Sequence, residues 1–193
     1  GVSSTINILD EALAHPAFPN RYTDMMNSLL QNPECKSYFI NRFADLMNDY
    51  WTPSKAGAII DNNAAEIASE INRQSARWGS PDSLAWRDQV HDLKEFHVVR
   101  RIYQRNQIEE YFGLNNQVDL SLRVQPAEAG VIHINSIIPK TYPWAGIYFD
   151  GNPVTITAVA NPGYTFDHWE NNLGLDTLGT SFTLNLTSYS NFT

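Results

Sequence analysis

The sequence is poor in the residues that build two common kinds of site. Its single cysteine, Cys35, excludes an intrachain disulfide and a zinc site of the paired-cysteine kind. Basic residues are also scarce, because 13 lysines and arginines stand against 21 aspartates and glutamates, and the formal net charge is -8. A nucleic-acid surface needs clustered basic side chains, so we expect no nucleic-acid partner.

Long apolar runs are missing as well. No stretch of about 18 apolar residues occurs, so we expect no membrane span. The opening residues, Gly1 to Ser4, lack the basic and apolar regions of a signal peptide, and we interpret Gly1 as a cloning residue. We therefore place any export signal upstream, in a longer parent protein.

The composition changes near residues 113–116. All three methionines and 26 charged residues precede this point, whereas eight charged residues follow it, among many β-branched and turn-forming residues. The change predicts an α+β protein with two segregated parts. We expect an N-terminal α-helical bundle over residues 1–114 and a small antiparallel β-sheet module over residues 115–193.

Helix starts are marked in the first part by a capping residue followed by proline, at Asn32-Pro33, Thr52-Pro53 and Ser80-Pro81-Asp82. With a segment from Tyr22 to Gln31, these signals predict four or five helices. The apolar spacing predicts three buried faces. They comprise Phe39, Phe43, Leu46 and Tyr50; Ile60, Ala64, Ile67, Ile71 and Trp78; and Trp86, Val90, Leu93 and Phe96.

Period-two alternation marks the second part, from Val118 through Leu120 and Leu122 to Val124, and predicts a half-buried strand. We expect residues 131–134 to be its partner. Asp150-Gly151 and Asn161-Pro162-Gly163 are predicted turns. Further strands are predicted at residues 147–149, 154–156, 164–166 and 182–186.

The first part resembles the C-terminal portion of the CotH kinase family, which is known from spore coats and secreted bacterial surface proteins. The resemblance depends on four blocks, which are Tyr38-Phe39-Ile40-Asn41-Arg42-Phe43-Ala44-Asp45-Leu46-Met47-Asn48, Ala76-Arg77-Trp78, Leu93 with Phe96 and Arg100, and Gln107-Ile108-Glu109-Glu110-Tyr111-Phe112-Gly113-Leu114.

The second part resembles a divergent internalin-type B repeat, a small β-module of secreted bacterial proteins. The matching segments are Ala129-Gly130-Val131-Ile132-His133-Ile134-Asn135, Tyr148-Phe149-Asp150-Gly151, Val154-Thr155-Ile156-Thr157-Ala158 and Gly163-Tyr164-Thr165-Phe166-Asp167-His168-Trp169. Together, the two resemblances imply a bacterial protein that is secreted or held at the cell surface.

The CotH resemblance also implies an atypical protein kinase, in which a lysine and acidic residues near an Asp-rich motif hold ATP and a divalent metal. Those residues lie upstream of this segment in the family. The present sequence has no Asp-x-Asp triplet and no glycine-rich phosphate loop, so we assign it no catalytic, cofactor-binding or metal-binding residue. The upstream kinase core of the same parent protein is the expected partner.

Other chemistry-bearing residues have simple structural interpretations. The five histidines, at positions 15, 91, 97, 133 and 168, include no pair spaced to bind one metal from a helix. Arg42 and Asp45 are interpreted as local pairing within the bundle, with support of the kinase core as the alternative. Cys35 is interpreted as a small, partly buried side chain.

An aromatic cluster in the second part is a possible ligand platform, formed by Trp144, Tyr142 and Tyr148. Packing in a small core is the competing interpretation, and we favour packing for all but Trp144. We therefore expect Trp144 to be the most exposed of the five tryptophans.

The resembled β-module usually continues into one more strand, so we expect this copy to be truncated. Residues 189–193 are too few and too polar to replace that strand, which predicts a sheet with an unfilled slot and unpaired backbone groups.

Three functions are compatible with the sequence. The first is a non-catalytic C-terminal fragment of a secreted CotH-like protein, in which the helices complete the kinase fold and the β-module serves as a spacer or display element. The second is a cell-surface adhesion or carbohydrate-binding fragment, with a protein or glycan partner. The third, a self-contained enzyme, has the least support, because no nucleophile with its base is evident.

Overall fold

Five helices precede six strands in the computed structural model, which describes residues 5–14, 21–175 and 179–193. The helices are α1 (Arg21–Leu30), α2 (Pro33–Asp45), α3 (Pro53–Ile67), α4 (Ile71–Trp78) and α5 (Ser83–Phe112). Short π-helical turns at Asp10–Ala14 and Leu46–Tyr50, and a 3-10 turn at Ala68–Glu70, accompany them. The predicted α+β organisation, with helices first and strands second, is confirmed.

The predicted helix starts are correct because each depends on local hydrogen bonds. The Asn32 side chain accepts from the backbone N–H groups of Glu34 and Cys35, at 2.9 and 3.1 Å. Thr52 caps α3 in the same manner, and Asp82 accepts from the first N–H groups of α5. Gly79 follows α4 with a φ of 76°, the left-handed conformation in which glycine commonly ends a helix.

The predicted buried face of α2 is wrong in part. Phe39 and Phe43 are only half-buried, and Tyr50 is exposed. The buried side chains of α2 are instead Ile40, Asn41, Ala44 and Asp45. Apolar periodicity missed this face because it assigns polar side chains to solvent, whereas these polar side chains have hydrogen-bonding partners on the β-module.

The residues of the two predicted buried faces in α3 to α5 are mostly half-buried or exposed. Within α3 no residue is buried, and Ile67, Trp78 and Leu93 all have more than half of their surface open to solvent. Of the nine residues that we predicted to be buried, from Ile60 to Trp78 and from Trp86 to Phe96, Ile71 alone is buried. The amphipathic pattern is present, but the described residues provide little to cover it.

The strands form two three-stranded sheets. They are β1 (Gln117–Leu122), β2 (Gly130–Ile134), β3 (Trp144–Phe149), β4 (Val154–Ala160), β5 (Ser181–Leu184) and β6 (Ser190–Phe192). One sheet has the order β3-β1-β6 and the other β2-β4-β5. All pairs are antiparallel except β1 with β6, which is parallel.

Several strand predictions were wrong in pairing rather than in position. Strand β2 pairs with β4 and not with β1, whose antiparallel partner is β3. The turn at Asp150-Gly151 exists, with Gly151 at a φ of 92°, but it joins two different sheets. Residues 164–166 form no strand, whereas the turn at Asn161-Pro162-Gly163 is confirmed by the bond from Tyr164 N–H to Asn161 O. Alternation identifies a strand, but it carries no information about which strand is its neighbour.

The expectation that residues 189–193 are too few and too polar to form a strand is wrong. Residues 190–192 form β6 and pair with Leu120, Ser121 and Leu122. The far side of β6 is closed by two backbone bonds between Thr193 and Glu170, at 2.9 and 3.1 Å. The short polar segment therefore forms a strand beside β1.

The described residues form two compact units. One combines the described residues of 1–6 with residues 50–104, and the other combines residues 7–49 with residues 105–193. The second unit contains α1, α2, the end of α5 and every strand. Its core contains apolar side chains of the helices, the strands and the loops between them, namely Leu9, Ile40, Ala44, Met47, Ile108, Val118, Leu120, Leu122, Ile132, Ile134, Ile137, Tyr148, Phe149, Val154, Ile156, Trp169, Leu186 and Phe192. The compositional change near residue 114 and the division into compact units thus fall at different places in the chain.

Candidate functional site

Three polar side chains lie along one face of α2 and its π-helical extension. Asn41, Asp45 and Asn48 are spaced four and three residues apart, which places them in a row on a helix. Their exposed fractions are 9%, 0% and 8%. We call these three residues the α2 polar row. Burial of polar groups is costly without partners, so each side chain must be paired.

Asp45 lies at the centre of the row and accepts several hydrogen bonds. Its Oδ2 accepts from the backbone N–H of Ser136 at 2.8 Å and from the Ser136 hydroxyl at 2.6 Å. Its Oδ1 accepts from the Tyr148 hydroxyl at 2.7 Å. Burial raises the pKa of Asp45 above its ordinary value of 3.8, although the hydrogen bonds from Ser136 and Tyr148 act in the opposite direction.

The Tyr148 hydroxyl donates its hydrogen bond to Asp45 from a buried position. Its side chain is fully buried, and burial together with the charge of Asp45 raises the pKa of the Tyr148 hydroxyl well above 10.0. The tyrosine therefore remains a neutral hydrogen-bond donor, and the Asp45 carboxylate is its acceptor.

The segment bound by Asp45 is a tight turn between Ile134 and Ile137, which exchange two backbone hydrogen bonds of 2.9 Å. Asn135 lies in this turn with a φ of 44°, a left-handed conformation that asparagine tolerates better than most residues. Its side-chain oxygen accepts from the N–H of Thr155, and its own N–H donates to the Thr155 carbonyl. The bonds of Asn135 to Thr155 extend the pairing of β2 with β4 into this turn, and Asp45 binds the same turn through Ser136.

Asn48 covers the free edge of β3. Its amide nitrogen donates to the Ile147 carbonyl at 2.8 Å, and its amide oxygen accepts from the Ile147 N–H at 3.0 Å. The side chain therefore imitates a neighbouring strand. Arg105 donates to the same oxygen at 2.9 Å.

Gly146 allows this close approach. A Cβ atom at position 146 would lie 2.5 Å from the Trp144 ring and 2.9 Å from the Asn48 amide nitrogen. Glycine is thus required here by space rather than by a positive φ.

Asn41 forms the third connection. Its amide nitrogen donates to the Pro153 carbonyl at 2.7 Å, and its oxygen accepts from the buried amide of Asn152 at 2.9 Å. Asn152 also donates to the Ser37 carbonyl on α2. The loop between β3 and β4 is therefore fixed to the helix by two asparagines.

The α2 polar row is suited to holding structure rather than to chemistry. No nucleophile stands beside a base in this row, and the Asp45 oxygens are already occupied by donors. No group of three or more histidine, cysteine, aspartate or glutamate side chains in the described ranges could hold a metal ion. We therefore derive no step through a divalent metal of the kind that the CotH resemblance implies.

The predicted ligand platform is not an exposed surface. Tyr148 is fully buried, and the half-buried Tyr142 uses its hydroxyl to accept from the N–H of Ile132 and to donate to its carbonyl. Burial also raises the pKa of Tyr142. The exposure predicted for Trp144 is wrong, because this ring is half-buried while Trp51 and Trp78 are 52% and 66% exposed. Trp144 lies within β3 and packs against Tyr148, with ring centroids 6.5 Å apart.

Other residues singled out from the sequence are dispersed. Arg42 does not pair directly with Asp45, since its guanidinium donates to the Ser136 hydroxyl that Asp45 also binds. Cys35 is exposed in the first turn of α2. His97 lies edge-on to Trp51, and His15 falls outside the described residues.

A groove of about 430 Å3 opens on the β-module. Aromatic side chains of Tyr164, Phe166 and Trp169 contribute to its wall, and Arg123 and His168 lie among its polar residues. No sequence pattern indicates this groove, because its walls come from segments that are distant along the chain.

The α2 polar row was also missed, although the sequence contains a signal for it. Asn41, Asp45 and Asn48 recur at helical spacing within a segment rich in apolar residues. A polar row at that spacing predicts either a solvated face or a hydrogen-bonded interface, and only long-range structure distinguishes the two.

Two family models match the chain. Residues 10–103 match the family described as CotH kinase protein, and residues 121–192 match the family described as divergent InlB B-repeat domain. Both resemblances are thereby confirmed, in the predicted order. Comparisons with curated proteins and with solved structures gave no match. No helix of the described segments is long and apolar enough to cross a membrane.

Proposed function

We propose that this chain is a non-catalytic structural part of a CotH-like protein. The proposal is supported by the match to the CotH kinase family, which is followed along the chain by the match to the B-repeat family. In this proposal the helices complete the fold of an atypical protein kinase domain. The catalytic lysine and metal-binding acids belong to the upstream core of the same parent protein. The parent is secreted or displayed on a bacterial surface, as the two families favour.

The observation that carries the proposal is the exposed apolar surface of the helices in residues 50–104. In the described part of that unit, Ile71 is the one apolar side chain that is buried. Trp78, Leu84 and Ile59 are 66%, 64% and 60% exposed. Helices of this length gain most of their stability from packing an apolar face, so these faces are expected to need a partner.

The occupant that we propose for these faces is the rest of the kinase domain. The exposed side chains lie within the segment that matches the CotH family, and a family domain packs its own helices together. Large exposed apolar patches generally mark such interfaces.

Hydrogen exchange of the chain alone and of the chain joined to its upstream core tests this proposal. We expect amides of α3 and α4 to exchange rapidly in the isolated chain and to become protected when the core is present. Amides of β1 serve as the internal control, and their exchange should remain slow in both samples. Strong protection of α3 and α4 in the isolated chain, unchanged by the core, would contradict the proposal.

A variant pair sharpens the experiment. Trp78→Ala should weaken protection of α4 by the core, because it removes the largest exposed ring of that helix. Gln74→Ala changes an exposed polar residue on the same helix and should have no effect.

The adhesion hypothesis loses its main support, because it depended on an exposed Trp144.

A further inference from the structure

The two sheets of the β-module have four edges, and three of them are covered. Asn48 bonds to the edge of β3, and Glu170 bonds to the segment that ends β6. On β2, the Tyr142 hydroxyl bonds to both backbone groups of Ile132, and Ile137 bonds to both backbone groups of Ile134. Natural sheets protect their edges in such ways because open edges pair with other chains.

The fourth edge, on β5, is open in the part of the chain that the structure describes. The Ala158 N–H bonds to the Thr180 carbonyl, so Thr180 and the alternate residues Phe182 and Leu184 direct their backbone groups toward β4. Ser181 and Thr183 consequently direct their N–H and C=O groups away from the sheet. Both residues are exposed.

The sequence of β5 has neither of the two residue types that usually protect an edge, a charged residue or a proline. Residues 179–186 contain no charged residue and no proline. The two side-chain rows are also regular, since Ser181 and Thr183 lie on the exposed face while Phe182 and Leu184 are half-buried on the other.

We propose that this edge is an interaction surface for a second copy of the chain, which pairs β5 with β5 in an antiparallel arrangement. Centred on Phe182, the pairing places Ser181 opposite Thr183 of the second copy, and the reverse. Each of these two positions exchanges both backbone hydrogen bonds, so every outward group of Ser181 and Thr183 is satisfied. The arrangement is self-complementary, as a two-fold dimer requires.

The side chains also match in this pairing. On the exposed face, hydroxyl pairs already link Thr155 to Thr183 and Thr157 to Ser181, at 2.8 and 2.7 Å. The second copy would extend this row of hydroxyls across the dimer. On the other face the two half-buried Phe182 rings would meet and lose solvent exposure.

Sedimentation of the whole chain over a concentration series, up to about 1 mM, measures this dimer. Thr183→Lys places a charge at the edge, and Thr183→Pro removes the outward N–H without removing a bond to β4. We expect each variant to raise the dissociation constant about tenfold or more. Val159→Lys adds the same charge to the same face of the central strand, outside the register of β4 with β5, and should leave the constant within about twofold of its original value.

Amide exchange at single residues gives an independent readout, which is needed because the exposed apolar helices offer a second route to association. The amides of Ser181 and Thr183 should become protected as the dimer forms. A chain that remains monomeric throughout, or a dimer that Thr183→Lys and Val159→Lys affect equally, would overturn the proposal. So would dimerisation without protection of these two amides.

Discussion

Asp45 shows how a single buried carboxylate can organise a module that is distant in sequence. Asp45 lies 91 residues before Ser136, which belongs to the turn between Ile134 and Ile137. It connects Ser136 and Tyr148 through hydrogen bonds of 2.6 to 2.8 Å. From the sequence it was interpreted as a local partner of Arg42. That interpretation failed because helical spacing reports neighbours along a helix and not partners on a sheet.

Replacing Asp45 should destabilise the second compact unit. Asp45→Ala leaves the fully buried Tyr148 side chain and the Ser136 N–H without their Asp45 acceptor, which costs on the order of 3 kcal/mol of unfolding free energy. Asp119 is an exposed aspartate on β1, so Asp119→Ala is a suitable control and should change stability by less than about 0.5 kcal/mol. Denaturant unfolding of the three proteins measures both effects. Equal stabilities for Asp45→Ala and the original chain would contradict the structural role of Asp45.

The raised pKa of Asp45 predicts a specific dependence on pH. In the folded state burial favours the protonated carboxyl, so the native chain binds a proton in a pH range where the unfolded chain has released it. The contribution of this group to stability is therefore fully present below pH 3.8, the ordinary pKa of the group, and is lost as the pH rises through the folded-state pKa.

Comparison with Asp45→Asn isolates this contribution, because the variant cannot titrate at position 45. The unfolding free energy of the original chain, minus that of the variant, should decrease as the pH rises from about 4 toward neutrality. A difference that increases with pH would mean that the hydrogen bonds outweigh burial and that the pKa is lowered.

At the scale of elements, α2 is a helix with two different functions on its surface. Its apolar residues Ile40 and Ala44 belong to the core, while its polar row replaces a strand at the edge of β3 and fixes two turns. The helix and the β-module therefore share a core and a hydrogen-bond network. In physical terms, the module is expected to depend on α2 for its stability and not to behave as a flexible appendage.

Gly146 gives a test of this close packing. Gly146→Ala would push the new methyl group against the Trp144 ring and the Asn48 amide, and we expect a loss of about 1–3 kcal/mol. A neutral Gly146→Ala in thermal unfolding would argue against the packing described for β3.

Gly57, inside α3, is the matched control for this substitution. A methyl group added there would meet no heavy atom within 4 Å outside the local helical backbone, so the same change is sterically free. Because alanine favours helices, Gly57→Ala should leave stability unchanged or raise it by up to about 1 kcal/mol. The unfolding temperatures of the two variants should therefore differ in the direction of their shift.

At the scale of the whole molecule, the features predicted correctly were those set by local chemistry. The helix starts at Asn32 and Thr52 and the glycine end at Gly79 follow from bonds within a few residues. The order of a helical part and a β part follows from composition and from the two family patterns. These levels of organisation can be inferred without knowledge of tertiary contacts.

The features that could not be predicted depend on contacts between distant segments. The partner of β2, the strand at residues 190–192 and the burial of Asn41, Asp45 and Asn48 are all of this kind. The exposure of Trp78 illustrates the opposite case, because its apolar spacing predicts burial against a partner that the described residues do not supply. Sequence periodicity indicates an apolar face but carries no information on what covers it.

The central claim, that this chain contributes structure and not phosphate chemistry, is tested most directly by calorimetric titration of the chain with ATP and magnesium. We predict no saturable heat of binding, since the sequence has no phosphate-cradling loop and the Asp45 oxygens are held by Ser136 and Tyr148. A saturable signal in the micromolar range that disappears when one acidic residue of this chain is replaced would contradict the claim.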